Sequence, residues 1–308
     1  MTQGRSIRLF LVDGTPNGLL TAEIMNWTGH VLTGPRSKLS ELVQRPECGR
    51  TGIYFLVGPD PENSLRPLVY IGESDDVATR LKQHNRPEAA SGGGKDFWEK
   101  VCLVTSKDQN LTKAHVKYLE SLLIQVAGQV GRCRLINGTA HEYISLPESD
   151  RADMAFFIEQ IRTILPVLGL DFLRETARPS RGADDLQSKT AQKSPRFTFE
   201  MPRHDIQAFG QEIDGEFYVL EGSLARPEWT GVDGGYQSLY DQLCDDGVLI
   251  ETEQGKRRFA TDYAFSSTSA AAAVVAGRSA NGRISWKLEQ SGQTYGDWQD
   301  EQVSAAIN

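Results

Sequence analysis

Apolar positions repeat along the chain at two periods, and the switches between them outline the elements. Alternation with period two marks Ile7–Val12 as a short strand, followed by a turn at Asp13–Gly18. Leu20–Trp27 is expected as a helix, Val31–Gly34 as a second strand and Ser37–Gln44 as a short helix. Gly52–Val57 and Leu68–Gly72 are rich in β-branched and aromatic residues and predict two strands, separated by the polar, proline-bearing stretch Gly58–Pro67. Asp75–Asn85 predicts a helix, with Asp75 and Asp76 at its positive end. A glycine-rich loop at Ser91–Gly94 precedes a strand over Glu99–Thr105. The 3.6-residue period then returns in Thr112–Ala127, where Val116, Leu119, Leu122, Leu123 and Val126 form one stripe, and again in Arg151–Leu168.

Thr176–Thr198 breaks both periods. It is rich in Pro, Ser, Gly and Gln, carries five basic and two acidic residues, and predicts a flexible linker. Beyond it, strands are expected at Glu212–Glu221, Lys256–Phe265 and Arg283–Leu288, with helices at Gln237–Asp246 and Ser269–Val275. The pattern predicts an α+β fold. Its parts are an N-terminal strand and helix extension (1–49), a central module (50–148), a helix packed on it (149–175), the basic linker (176–198) and a small α+β C-terminal domain (199–300).

A length of 308 residues suits two domains, and 39% hydrophobic residues suffice to fill their cores. No apolar run approaches the roughly 20 residues of a membrane span. Cys48, Cys102, Cys133 and Cys244 are scattered, without a C-x-x-C pair, so free thiols in a reducing cytoplasm are expected. The net charge of −8 argues at first against nucleic acid, but it is uneven. Residues 1–200 carry 25 basic and 24 acidic side chains, and residues 201–250 carry 2 and 10. The acidic block is expected to face away from nucleic acid, or to meet a basic partner or the linker.

The candidate chemistry lies in the central module. Gly52-Ile53-Tyr54 lies on one strand and Tyr70-Ile71-Gly72 closes the next. Arg80, His84, Glu120 and Asn137 follow in order. In order and spacing these residues resemble the GIY-YIG nuclease family over roughly Arg50–Ile144. The resemblance implies a small three-stranded antiparallel sheet flanked by helices, and metal-dependent hydrolysis of DNA phosphodiesters. Tyr54 is the implied general base, and Arg80 the clamp on the scissile phosphate. Glu120 is the implied ligand of one Mg²⁺ or Mn²⁺ ion. Tyr70 and His84 would position water or phosphate, with His84 also able to share the base role. Asn137 orients the site or, read alone, is a turn residue before Gly138.

Helix geometry bears on this independently. At about 100° per residue, Val77, Arg80, Leu81 and His84 share one arc. Arg80 and His84 therefore point with the apolar face, where polar groups need partners. Alone they read as an ion pair or core hydrogen bond, or Arg80 as a snorkelling side chain. Glu120 stands at the edge of its stripe and alone reads as a surface partner of Lys113 or Lys117.

Two features depart from the family pattern. The Tyr54–Tyr70 gap is long, and Glu73 stands where many members place lysine. Lys82, Lys113 and Lys117 are candidate nucleic-acid contacts, as are Arg278, Arg283 and Lys287. The latter three lie in Phe265–Trp298, a segment similar to a small domain of unknown function that often follows nuclease or restriction-type modules in bacterial proteins. The expected protein is a cytoplasmic DNA endonuclease, with a homodimer as one way to cut both strands. The alternative is a catalytically silent nucleic-acid-binding or regulatory protein on the same fold.

Overall fold

The structure, a computed structural model, describes residues 4–61, 66–87, 94–137, 146–174, 193–232 and 235–307. The chain divides into two units, Gln3–Glu175 and Thr176–Asn308. Parts of the long Gly58–Pro67 stretch (62–65), the loop at 91–93, Gly138 and linker residues 176–192 lie outside the described residues.

The first unit is built on one seven-stranded sheet, not three strands. Its elements are β1 (Ile7–Leu11), β2 (Leu20–Ile24), β3 (Gly29–Pro35), α1 (Leu39–Leu42), β4 (Gly52–Pro59), β5 (Pro67–Ser74), α2 (Val77–His84), β6 (Lys100–Ser106), α3 (Lys113–Val130), β7 (Arg134–Leu135) and α4 (Glu148–Ile164). The strand order is β1-β2-β3-β6-β4-β5-β7. Every pairing is antiparallel except β5 with β7. The N-terminal residues are therefore not an appendage. β3 pairs with β6 over seven residues, from Gly29↔Ser106 to Pro35↔Lys100, and joins the β1–β2 hairpin to the sheet.

The helix expected over Leu20–Trp27 is a strand. Leu20, Ala22 and Ile24 alternate onto one face, a period-two pattern that outweighs the helix-forming residues among them. Asn26, at a φ of 64°, turns the chain tightly into β3.

Both faces of the sheet are covered. Ile53 and Phe55 of β4, with Val69, Ile71, Cys102 and Val104, pack under α3 and α4. Tyr54 and Leu56, with Val101, Leu103 and Trp98, pack under α1 and α2. This two-sided burial explains why Gly52–Val57 reads as an almost unbroken apolar run. α3 is closed at its start by a reciprocal capping box between Thr112 and His115, and at its end by Gly131 in the left-handed conformation (φ 68°). The thiols of Cys48, Cys102 and Cys133 are buried, and burial pushes each up to about 12, so they act as small apolar side chains.

The second unit holds β8 (Lys193–Met201), β9 (Ile206–Ile213), β10 (Glu216–Val219), β11 (Leu224–Ala225), α5 (Gly235–Asp245), β12 (Leu249–Glu251), β13 (Arg257–Phe259), β14 (Tyr263–Phe265), α6 (Thr268–Ala276), α7 (Gly282–Ser285), β15 (Lys287–Leu288) and α8 (Tyr295–Ile307). They form a five-stranded sheet, β14-β10-β9-β8-β15, and a three-stranded one, β11-β13-β12. The end of the expected linker is strand: Phe197, fully buried, anchors β8 in the core. The single strand expected at Glu212–Glu221 is a hairpin turned at Asp214-Gly215, both in left-handed conformations. The strand expected at Arg283–Leu288 begins as the helix α7 and is strand only at Lys287–Leu288, β15. Gly282, buried against the backbone of Thr268 and Ser269, lets α7 approach the start of α6 closely.

Candidate active site

β4 and β5 face each other in the register Tyr54↔Gly72 and Leu56↔Tyr70. A side chain at Gly72 would place its Cβ under 3 Å from the Tyr54 hydroxyl and ring. The glycine thus supplies the space through which the Tyr54 ring lies across the neighbouring strand. Asp76 caps α2 by accepting from the Thr79 N–H (3.0 Å), which fixes the rotation of the helix over the sheet.

That rotation brings Arg80 and His84 to Tyr54. The Tyr54 hydroxyl and His84 Nε2 share a hydrogen bond of 2.9 Å, and Arg80 Nε donates to the same hydroxyl at 3.4 Å. Tyr70 closes the group: its ring centroid lies 6.2 Å from that of Tyr54 and 5.3 Å from that of His84. Tyr54 and His84 are almost completely buried, whereas Tyr70 and Arg80 are half-buried. Burial drives the Tyr54 phenol well above its ordinary range, reinforced by Tyr70 and partly offset by the Arg80 guanidinium.

The other half of the site lies along the outer edge of β5. Past the short strand β7, the backbone of β5 finds side chains as partners. Ile136 N–H donates to the Val69 carbonyl at 2.9 Å, continuing the ladder. At the next outward-facing residue, Ile71 N–H donates to Asn137 Oδ1 at 2.9 Å, and Asn137 Nδ2 donates to the Ile71 carbonyl at 2.6 Å. At the one after, Glu73 lies close enough to the Glu120 carboxyl on α3 for its backbone N–H and its carboxylate both to act on that group. A backbone strand and an amide side chain thus take successive rungs of one ladder, and Glu120 borders its end. Asn137 works here as a surrogate strand residue. Glu120, on α3, borders Glu73, three residues beyond Tyr70 on β5.

Burial and the neighbouring Glu73 carboxylate raise Glu120 to about 7, against the pull of the Glu73 N–H, Lys113 and Arg80. Lys113 pairs with Glu73 at 2.6 Å and with Asp75 at 3.3 Å. Among the described residues, no group of three or more His, Cys, Asp or Glu side chains gathers as a metal cluster.

All six residues singled out in the central module therefore gather around the end of β5. Two neighbours were not singled out as site residues. Glu73 borders Glu120, and its position directly after Gly72 was the available signal. Lys95 places its ammonium 4.2 Å from the Tyr70 ring centroid; its N–H also donates to the His84 carbonyl at 2.9 Å. No sequence pattern announces it, because the chain reaches it only after the 88–93 segment.

The basic candidates are dispersed. Lys82 is exposed on the last turn of α2. Lys113 is engaged by Glu73 and Asp75, so the expected Lys113–Lys117 track has one member held in an ion-pair network. Arg283 is committed to Asp300 (2.9 Å) and Gln299 (2.6 Å), while Arg278 and Lys287 are exposed. Within the acidic block, Asp205 pairs with Lys256, and Glu212 accepts from the Tyr295 hydroxyl at 2.5 Å.

Residues 197–299 match the model of a family described as a domain of unknown function (DUF4357), so the second unit is similar to that family from β8 into α8. Neither a curated protein nor a solved structure matches the chain. No helix among the described residues is long and apolar enough to cross a membrane.

Proposed function

We propose that the first unit is a metal-dependent endonuclease of GIY-YIG type that hydrolyses DNA phosphodiester bonds. The observation that supports this best is the Tyr54 hydroxyl held between His84 Nε2 and Arg80 Nε, with Glu120 near enough to feel Glu73 and the Arg80 guanidinium.

Hydrolysis needs a proton acceptor for the attacking water, a cation on the phosphoryl oxygens and help for the departing oxygen. Tyr54 is the acceptor in this reading. A buried phenol does not ionise unaided, so its own proton passes to His84 Nε2 as it takes one from water. Arg80 adds a fixed positive charge at that hydroxyl, and its half-buried guanidinium, which also donates to Gln83 Oε1 at 2.9 Å, would meet the phosphate. Tyr70, steadied by the Lys95 ammonium over its ring, completes the group.

The donor chemistry at Glu120 fits a hard divalent ion. Burial first, and then the nearby Glu73 carboxylate, raise Glu120 to about 7, while Lys113 and Arg80 pull the other way. One carboxylate with its remaining positions filled by water is an arrangement that suits Mg²⁺ or Mn²⁺. When bound, such an ion supplies charge stabilisation to the departing oxygen. Glu120 is the residue that would hold it.

The test uses the full chain with plasmid and branched DNA in Mg²⁺ or Mn²⁺, beside Arg80→Ala and Glu120→Ala. Cutting by the wild type and its loss in both variants is expected. DNA binding without cutting under every metal would assign the chain to the catalytically silent alternative.

A further inference from the structure

We propose that two copies of this chain pair through β1, antiparallel across a two-fold axis at Leu9, and join their sheets into one of fourteen strands. The inference does not rest on the nuclease reading. It starts from an edge. β1 is the outermost strand, and among the described residues only β2 pairs with it. Sheet edges in monomers are usually blunted by proline, lysine, bulges or a covering element. β1 reads Ile-Arg-Leu-Phe-Leu, pairs with β2 without a bulge, and leaves Leu9 46% and Phe10 59% exposed.

The backbone fixes which groups are offered. Ser6 carbonyl accepts from Met25 and Val12 N–H donates to Leu19, so even-numbered residues turn their backbone toward β2. Ile7, Leu9 and Leu11 turn theirs outward. The Leu11 carbonyl is engaged by the Gly14 N–H in the following turn. The outward groups that remain are the N–H and carbonyl of Ile7 and Leu9, and the N–H of Leu11.

One register uses all of them but the Ile7 N–H and also matches the side chains. With Leu9 opposite its own copy, the two Leu9 residues exchange both hydrogen bonds, and each Leu11 N–H donates to an Ile7 carbonyl of the other copy. The side chains are complementary in this register too. Leu9 meets Leu9 and Ile7 meets Leu11 on the face that carries α4. On the opposite face Arg8 meets Phe10, a cation over an aromatic ring, made twice by symmetry. A shift by two residues that sets Leu9 opposite Ile7 keeps main-chain exchange but breaks the Arg8–Phe10 pairs and puts the two Arg8 cations opposite each other.

The test is sedimentation of the full chain at micromolar concentration, with circular dichroism to confirm folding. The wild type should sediment at twice the chain mass. Leu9→Lys puts two ammonium groups together at the axis and should raise the dissociation constant at least tenfold. Phe10→Glu instead faces Arg8 of the other copy, so the dimer should persist and become salt-sensitive. In a Cys244→Ser background, Leu9→Cys should cross-link on mild oxidation, since hydrogen-bonded partners lie about 5.5 Å apart at Cα, within disulfide range. Phe10→Cys should not cross-link. A monomeric wild type, a dimer unaffected by Leu9→Lys, or cross-linking at Phe10→Cys in place of Leu9→Cys would overturn the proposal. Co-purification of β1 with a different protein in place of a second copy would overturn it as well.

Discussion

The Tyr54 ring occupies the place where Gly72 would carry a side chain. Each residue stands in one of the two tripeptides from which the site was read, and the contact explains why they belong together. A tyrosine can lie flat across a neighbouring strand only if the residue opposite has no Cβ.

Gly72→Ala should therefore damage the site without touching a proposed catalytic group. The added methyl forces the Tyr54 ring away from His84, and overpacking of this kind costs about 1–3 kcal/mol. Thermal unfolding should show that loss, and DNA cutting should fall more steeply than stability. Retention of full activity would mean that the Tyr54–His84 hydrogen bond is dispensable.

Glu120 gives a pH signature. Its carboxyl ionises near 4.5 when unperturbed and near 7 in the folded chain. Between those values the unfolded chain holds fewer protons than the folded one, so stability falls as pH rises across that window. Glu120→Gln should remove this slope, raising the melting temperature relative to wild type at pH 8 and leaving little difference at pH 4. In the wild type, Mg²⁺ should restore stability at pH 8, because ion and proton compete for the same carboxylate. Calorimetric melts at the two pH values check both outcomes.

His84 and Arg80 touch the same hydroxyl and should be separable. His84→Ala removes the acceptor of the Tyr54 proton and should lower cutting about 10²–10⁴-fold, typical of an acid–base group. Arg80→Lys keeps the charge but not the fork. It should lower the rate while leaving the pH dependence unchanged. Single-turnover pH profiles distinguish the two.

Asn137→Ala should act on the fold first. It leaves the N–H and carbonyl of Ile71 without partners on the outer edge of β5, at a cost of about 1–3 kcal/mol. Amide exchange at Ile71 should quicken. Asn137→Asp, which keeps the acceptor but loses the donor, should fall between the two.

The sequence carried the site more fully than the frame around it. Residues that share a helix face, such as Arg80 and His84, are placed by the 3.6-residue period, so their convergence was legible. The role of Asn137 was not, because its partner is a backbone rung 66 residues earlier and no local pattern encodes it. The seven-stranded sheet was hidden for a similar reason. Leu20–Trp27 has helix-forming residues, and only pairing with β1 and β3 makes its alternation decisive. In the second unit, Asp214-Gly215 was a local hairpin signal masked by the strong strand pattern on both sides.

The strand order has a consequence in time. β4, which bears Tyr54, is sandwiched between β6 and β5, and β6 in turn holds β3 across a gap of 77 residues between Gly29 and Ser106. Contacts of such long range close slowly and late. During synthesis, Tyr54 leaves the ribosome well before the strand that covers one of its flanks, and before Glu120 and Asn137 exist. A growing chain therefore cannot bring Tyr54, Glu120 and Asn137 together until β6, α3 and β7 have emerged, and a messenger cut short before them would yield only part of the group.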